Sequence, residues 1–128
     1  MGAWGIHFDE CDGALDFLGE VGDDRNWAAV GARIAEFISS GGYEDAEEAI
    51  AALELVAAAL GHPSPRLSPE LTTWAETHAQ DAPQLKAQSL EAIDLISNQS
   101  ELSELWAEAD EGDAWLATIA DLKTRLEA

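Results

Sequence analysis

Histidine, cysteine and carboxylate side chains are concentrated in one short segment near the start of the chain, residues 7–12. Imidazole, thiolate and carboxylate groups can together hold a transition metal. His7, Asp9, Cys11 and Asp12 are therefore the candidate ligands of a small metal-dependent enzyme. A closed site usually also takes ligands from distant parts of a fold, so the competing interpretation is a solvated loop. In that loop Asp12 caps a helix and Cys11 is a small buried hydrophobe.

Other catalytic signatures are missing from the sequence. There is no nucleophile motif, no phosphate-binding glycine loop and no paired-histidine zinc pattern. His62 and His78 stand alone, and we expect them at a turn and a helix end. With 26 acidic residues, many carboxylate pairs are possible, so no particular pair is informative. We predict a protein without intrinsic enzymatic activity and without a cofactor.

The charge balance is the most unusual property of the chain. Twenty-six acidic residues against six basic ones give a formal net charge of −20. Such a field repels nucleic acid and anionic membranes and attracts basic surfaces. We therefore predict neither direct nucleic-acid binding nor membrane binding. Nine of the acidic residues lie between Lys86 and Lys123, a stretch that contains no Lys or Arg.

Within that stretch Glu101, Glu104 and Glu108 recur at helical spacing. Carboxylates three or four residues apart on a helix repel one another when no cation lies between them. A surface that only needs solvation usually mixes both signs of charge, so this surface is predicted to bind a basic protein. The predicted partner-binding residues are Glu91, Asp94, Glu101, Glu104, Glu108 and Glu111.

The function predicted from these features is that of a non-enzymatic acidic protein-binding module, such as an immunity or inhibitor-type protein that covers a basic partner. Trp4 and Tyr43 are the candidate apolar anchors, provided that they are exposed. Two alternatives stay open beside the metal-dependent enzyme. The charge could serve solubility alone, or the protein could mimic DNA and occupy a nucleic-acid-binding site.

The elements that must position these residues are helical. Apolar residues recur at helical spacing in seven segments separated by Gly, Pro or capping residues. The segments are about Gly13–Val21, Asn26–Ser39, Tyr43–Leu60, Pro69–His78, Asp81–Ser97, a short helix after Ser100, and a last helix after Asp113. We therefore predict a compact all-α bundle of about six or seven helices that forms one domain over residues 1–128.

Particular residues are expected at helix ends and on core faces. Asp12, Ser68, Asp81, Ser100 and Asp113 are predicted N-terminal caps, and Gly61 a left-handed C-terminal cap. Residues expected on the core-facing sides of their helices include Leu15, Leu18, Val21, Leu105 and Leu116, together with Trp27, Trp74, Trp106 and Trp115.

Composition places the protein in a broad class. A length of 128 residues with 47% hydrophobic residues is typical of one globular domain. Cys11 is the only cysteine, which excludes an intramolecular disulfide and fits a reducing compartment. No apolar run is long enough to span a bilayer, and the start of the chain lacks a signal-peptide pattern. A cytoplasmic protein is expected.

Several segments resemble one uncharacterised bacterial family. They are Met1-Gly2-Ala3-Trp4-Gly5 with Ala14-Leu15-Asp16-Phe17, Ala59-Leu60-Gly61-His62-Pro63-Ser64-Pro65, and Asn98-Gln99-Ser100-Glu101-Leu102-Ser103-Glu104-Leu105-Trp106. The family is the domain of unknown function numbered four-two-five-nine (DUF4259). The resemblance implies a bacterial, cytosolic, single-domain protein and no particular reaction. Glu10 and Cys11 depart from the family's usual polar positions, so no role is carried over to that loop.

Overall fold

The protein is a bundle of helices without a β-strand in the described part of the chain. The computed structural model describes residues 5–23 and 27–128. In order, the elements are α1 (Asp12–Asp23), α2 (Trp27–Ser40), α3 (Tyr43–Ala59), α4 (Pro69–Thr77), a 3-10 helix (Ala79–Leu85), α5 (Lys86–Asn98), α6 (Glu101–Ala107) and α7 (Gly112–Glu127). The prediction of an all-α bundle of six or seven helices is confirmed.

Helix α3 forms the centre of the bundle. It packs against α1, α2, α4, the 3-10 helix, α5, α6 and α7. From Ala46 to Ala59 every residue except Glu48 is buried. Helical periodicity usually turns one face of a helix toward the core. Here neighbouring elements surround the helix, so nearly all of its residues from Ala46 onward are buried. Its many alanines allow those neighbours to approach closely.

The predicted caps at Ser68, Ser100 and Gly61 are confirmed. Ser68 Oγ accepts a hydrogen bond from the backbone N of Leu71 at 3.2 Å, just ahead of α4. Ser100 Oγ accepts from the backbone N of Ser103 at 3.0 Å, and the Ser103 hydroxyl accepts from the Ser100 backbone N at 3.2 Å. Gly61 has a φ of 97° after α3, as a left-handed cap requires.

Three other predicted caps were wrong. Asp81 lies inside the 3-10 helix, where Pro83 supplies no N–H to a regular α-helical ladder, so α5 begins only at Lys86. Asp113 lies in the first turn of α7, after the cap residue Glu111. Asp12 is itself the first residue of α1.

Three leucines that the sequence placed on core faces are exposed instead. Leu15 is 43% exposed, Leu105 37% and Leu116 42%. Successive helical residues point about 100° apart. In α6 and α7 the adjacent Trp106 and Trp115 occupy the core side, and both are almost fully buried. The larger aromatic rings remove more apolar area from water, so they take the inward positions.

The tryptophans pack in two pairs. Trp27 and Trp74 stack with ring centroids 4.8 Å apart, and the Trp27 indole N donates to the carbonyl of His78 at 2.9 Å. Trp106 and Trp115 lie nearly parallel, with centroids 6.0 Å apart. The prediction that these four residues pack in the core holds for Trp74, Trp106 and Trp115, whereas Trp27 is half-buried against it. Trp4 lies outside the described residues.

Candidate functional site

The segment before α1 is a tight turn that Arg66 holds from the connector between α3 and α4. The backbone N of Glu10 donates to the His7 carbonyl at 3.0 Å, and the backbone N of His7 donates to the Glu10 carboxylate at 3.2 Å. Arg66 Nε donates to Asp9 Oδ1 at 2.7 Å, and another guanidinium nitrogen lies 3.7 Å from Glu10 Oε1. The pKa of Arg66 is raised, first by its hydrogen bond to Asp9.

The structure does not gather the proposed metal ligands of this segment around one point. Asp9 is engaged by Arg66, and the buried Cys11 thiol donates to the carbonyl of Phe8 at 3.5 Å. Among the side chains that the structure describes, the ligand atoms of His7, Asp9 and Cys11 do not form a group of three. The side chain of Asp12 lies outside the described part.

One group of carboxylates elsewhere in the described chain is close enough for a cation, formed by Glu36, Asp45 and Glu48. A cation of the protein already lies beside it, because Arg33 contacts Glu36 at 3.1 Å and Glu48 at 3.7 Å. Burial is the main cause that raises the pKa of Glu48; Arg33 opposes this shift, and neighbouring carboxylates add to it. Arg33 thus partly offsets the repulsion within this group.

A cavity of about 370 Å³ lies between the N-terminal segment, α3, the connector, α6 and α7. Its size falls within the usual range for small-molecule pockets. Most of its wall is apolar and belongs to the core. The buried apolar residues of the wall are Ile50, Leu102, Trp106, Trp115, Ile119 and Leu122.

The polar side of the cavity is organised by Arg125. Its guanidinium donates to both carboxylate oxygens of Glu54, at 2.9 and 3.0 Å, and to Asp121 at 2.9 Å. The Glu54 side chain is 5% exposed and that of Arg125 18%. Burial raises the pKa of Glu54, while the hydrogen bonds and charge of Arg125 oppose that shift. His7, Cys11, Glu47 and Arg66 also line the cavity.

The six predicted partner-binding carboxylates are all on the exposed surface of α5, α6 and the turn that follows α6. Two of them have contacts within the protein. Asp94 forms an ion pair with Lys123 at 2.7 Å. The Glu101 carboxylate accepts from the backbone N of Tyr43 at 3.4 Å, at the first residue of α3. These two carboxylates contribute to the fold, whereas Glu91, Glu104, Glu108 and Glu111 form no salt bridge with a described side chain.

We use the name acidic face for the exposed carboxylates of α6, of the turn that follows it and of the first turn of α7, namely Glu104, Glu108, Asp110, Glu111 and Asp113. No salt bridge between described residues involves any of them. These carboxylates can remain without a cationic partner because they are exposed, and water solvates their charge.

The cations of the described chain are used elsewhere. Arg33, Arg66, Lys123 and Arg125 each form an ion pair with a carboxylate outside the acidic face. Lys86 donates to a backbone carbonyl near the C-terminus at 3.4 Å. The acidic face therefore presents negative charge that these cations do not neutralise.

Two exposed leucines lie near carboxylates of the acidic face along the chain. Tyr43 is half-buried and packs against the core, so it does not present a free ring, and Trp4 lies outside the described residues. Leu105 and Leu116 are two of the three large hydrophobic residues that are exposed in the described chain. Leu105 follows Glu104 in α6, and Leu116 lies one turn after Asp113 in α7. The clue in the sequence was their position next to a tryptophan that fills the core.

None of the helices in the described residues combines the length and the apolar character needed to cross a membrane.

Comparison with known proteins places residues 2–118 within a family model described as a domain of unknown function, DUF4259. The match includes the whole acidic face and most of the cavity wall, but it ends before the lining residues Ile119, Asp121, Leu122 and Arg125. No curated protein matches the chain, and no solved structure matches it.

Proposed function

We propose that this chain, which belongs to the DUF4259 family, is an acidic protein-binding module that docks on a basic partner through its acidic face. A protein that covers a cationic surface, in the manner of an inhibitor or immunity protein, is the form that we favour. The observation that carries the proposal lies in the stretch from α6 to the second turn of α7. This stretch combines five exposed carboxylates that form no salt bridge with a described side chain and two exposed leucines, Leu105 and Leu116.

Charge distribution supports this proposal. Five lysines and arginines lie in the described chain, and none forms an ion pair with Glu104, Glu108, Asp110, Glu111 or Asp113. With a net charge of −20, the molecule attracts a basic protein over several ångströms of solvent. Complementary charge accelerates encounter and fixes orientation more than it adds affinity.

The exposed leucines supply the apolar contact that charge alone lacks. Protein–protein interfaces usually combine a buried apolar centre with a polar rim. Leu105 lies between the carboxylates of Glu104 and Glu108 along α6, and Leu116 shares the exposed side of α7 with Asp113. A basic partner with a shallow apolar depression would contact both kinds of group at once.

The test is a pull-down from an extract of the organism that carries the gene, at low and at moderate salt. Two variants with an equal change of charge distinguish the acidic face from the general field. Glu104→Lys/Glu108→Lys reverses charges in the first turn and at the C-terminal cap of α6. Glu76→Lys/Asp81→Lys reverses exposed charges in the last turn of α4 and the first turn of the 3-10 helix. The pairs are thus matched in their relation to helix ends as well.

The proposal predicts that an identified basic protein is retained by the wild type and by the α4 variant, and is lost or reduced with the α6 variant. Glu101 is left unchanged because its carboxylate contacts the N-terminus of α3. Equal loss with both variants would indicate non-specific attraction and contradict the proposal. Retention of several unrelated DNA-binding proteins, each displaced by duplex DNA, would instead support DNA mimicry.

A further inference from the structure

The cavity is a separate feature from the acidic face, and its presence needs an explanation of its own. The space of about 370 Å³ beside the central helix opens to solvent and is large enough for a small molecule. Its wall includes Trp106 and Trp115, which are 6% and 3% exposed, so the space reaches into the core.

The walls are built from parts of the chain that lie far apart in sequence. The turn before α1, the middle of α3, the connector, α6 and α7 all contribute residues. The bond between Arg66 and Asp9, at 2.7 Å, joins two of these parts, and the bond between Arg125 and Glu54 joins two others. These cross-links tie the walls of the cavity to one another, and small-molecule sites are usually preformed in this way.

The charges of the cavity disfavour an anionic ligand. Arg66 is engaged by Asp9 and Glu10, and Arg125 by Glu54 and Asp121. Each of these arginines thus already faces two carboxylates. A phosphate or carboxylate ligand would have to break one of these ion pairs and enter a molecule whose net charge is −20.

A cationic ligand meets the opposite situation. The carboxylates of Glu54 and Asp121 face only one guanidinium on their side of the cavity. The burial that raises the pKa of Glu54 means that its ionised form gains from further positive charge nearby. Trp106 and Trp115, which line the cavity, add to this preference, because indole faces attract organic cations and the rings offer a large apolar area.

We propose that the cavity binds a small organic amine whose ammonium group lies near Glu54 and Asp121 and whose apolar body contacts Trp106 and Trp115. The mouth of the cavity includes the exposed Ala117 on α7. The ligand therefore enters beside this residue. This inference does not depend on the acidic face or on a protein partner.

Calorimetric titration of the purified full chain tests the ligand class with three compounds of similar size. They are 2-phenylethylamine as the cation, 2-phenylethanol as the neutral analogue and phenylacetate as the anion. We expect the amine to bind at least about tenfold more tightly than the alcohol, and phenylacetate to give no binding. Tighter or equal binding of the alcohol or of phenylacetate would overturn the proposal, as would absence of binding by all three at millimolar concentration.

Variants of α7 test the location. Ala117→Trp places a bulky ring at the mouth, whereas Ala120→Trp places the same ring on an exposed residue of α7 that does not line the cavity. Amine binding should be lost in the first and retained in the second. If both variants bind equally well, the amine is attracted only by the net charge and the proposal is wrong.

Asp121→Asn provides a test that does not depend on the bulky substitution being tolerated. The side chain is exposed, so the fold should persist. Affinity for the amine should fall several-fold while that for the alcohol stays unchanged. An equal change for both compounds would contradict a contact between Asp121 and the ammonium group.

Discussion

Carboxylates at the cavity and on the acidic face have the same chemistry and very different surroundings. At the cavity, the buried Glu54 accepts two hydrogen bonds from Arg125. Arg66, which also lines the cavity, donates a hydrogen bond to Asp9. On the acidic face, Glu104 and Glu108 are solvated and form no described ion pair. The difference follows from the cost of burial. A buried charge without a partner is destabilising by several kcal/mol, whereas an exposed carboxylate tolerates isolation.

Six basic residues cannot balance 26 acidic ones. The two described arginines that line the cavity, Arg66 and Arg125, each form ion pairs with two carboxylates. The negative charge of the acidic face is left to water. That charge is consequently available to a partner, while the charges at the cavity are part of the structure.

The largest expected effect comes from removing the cation at the cavity. Arg125→Met leaves Glu54 buried with both of its hydrogen bonds from Arg125 lost, so the free energy of unfolding should fall by roughly 3–5 kcal/mol. Denaturant unfolding at neutral pH measures it. Lys123 lies on the same helix as Arg125 and forms an exposed ion pair with Asp94 of α5. Lys123→Met should therefore lower the free energy of unfolding by no more than about 1 kcal/mol. Similar losses in the two variants would remove the distinction between the regions.

The next largest effect is expected at Gly112, where close backbone packing fixes the start of α7 beside the acidic face. A Cβ added at Gly112 would fall on the carbonyl oxygen of Trp106, and a backbone atom cannot move aside as a flexible side chain does. Gly112→Ala should therefore destabilise the protein by about 1–3 kcal/mol. At Gly19 in α1 an added Cβ meets nothing within 4 Å, so Gly19→Ala should be neutral or stabilising by up to about 1 kcal/mol. Thermal unfolding of both variants checks the pair.

A smaller effect should separate two carboxylates of α6. Glu101 lies at the positive N-terminal end of α3 and accepts from Tyr43, so Glu101→Gln should cost about 0.3–1 kcal/mol. Glu108 occupies the C-terminal cap of α6, where negative charge is unfavourable, so Glu108→Gln should stabilise the protein slightly. Urea titrations of the two variants under identical conditions would contradict this distinction if Glu108→Gln proved the more harmful.

The smallest effect is expected at Glu48, whose pKa is raised mainly because the carboxylate is partly buried. A raised pKa in the folded state means that the fold penalises the ionised form. The penalty is absent in acid and grows as pH rises through the folded pKa. Glu48→Gln should therefore stabilise the protein at neutral pH by about 0.2–0.5 kcal/mol, with the gain vanishing in acid. An advantage that persists below the ordinary pKa of glutamate would have another cause.

Structural features that depend on residues close together in the chain could be predicted from the sequence. The caps at Ser68 and Ser100 and the left-handed Gly61 depend on local backbone chemistry, and the sequence displays it directly. Which apolar side chain of a helix points toward the core was harder to predict. Leu105 and Trp106 are both apolar, and only the packed bundle decides that the ring lies inside and the leucine outside.

Features made by distant residues could not be predicted. The bond between Arg125 and Glu54 joins residues 71 positions apart, and the cavity walls come from five segments. The central place of α3 depends on how many helices surround it, which periodicity does not reveal. Charge and its distribution, by contrast, can be counted in the sequence, and the predicted acidic stretch is exposed as expected.

The most direct test of the central claim is the association rate constant of the captured basic partner, measured at low and moderate salt with the matched variants. The account predicts that Glu104→Lys/Glu108→Lys slows association strongly and flattens its salt dependence, whereas Glu76→Lys/Asp81→Lys changes both much less. Equal slowing by the two double variants would contradict it, because the net charge and not the acidic face would then guide the partner.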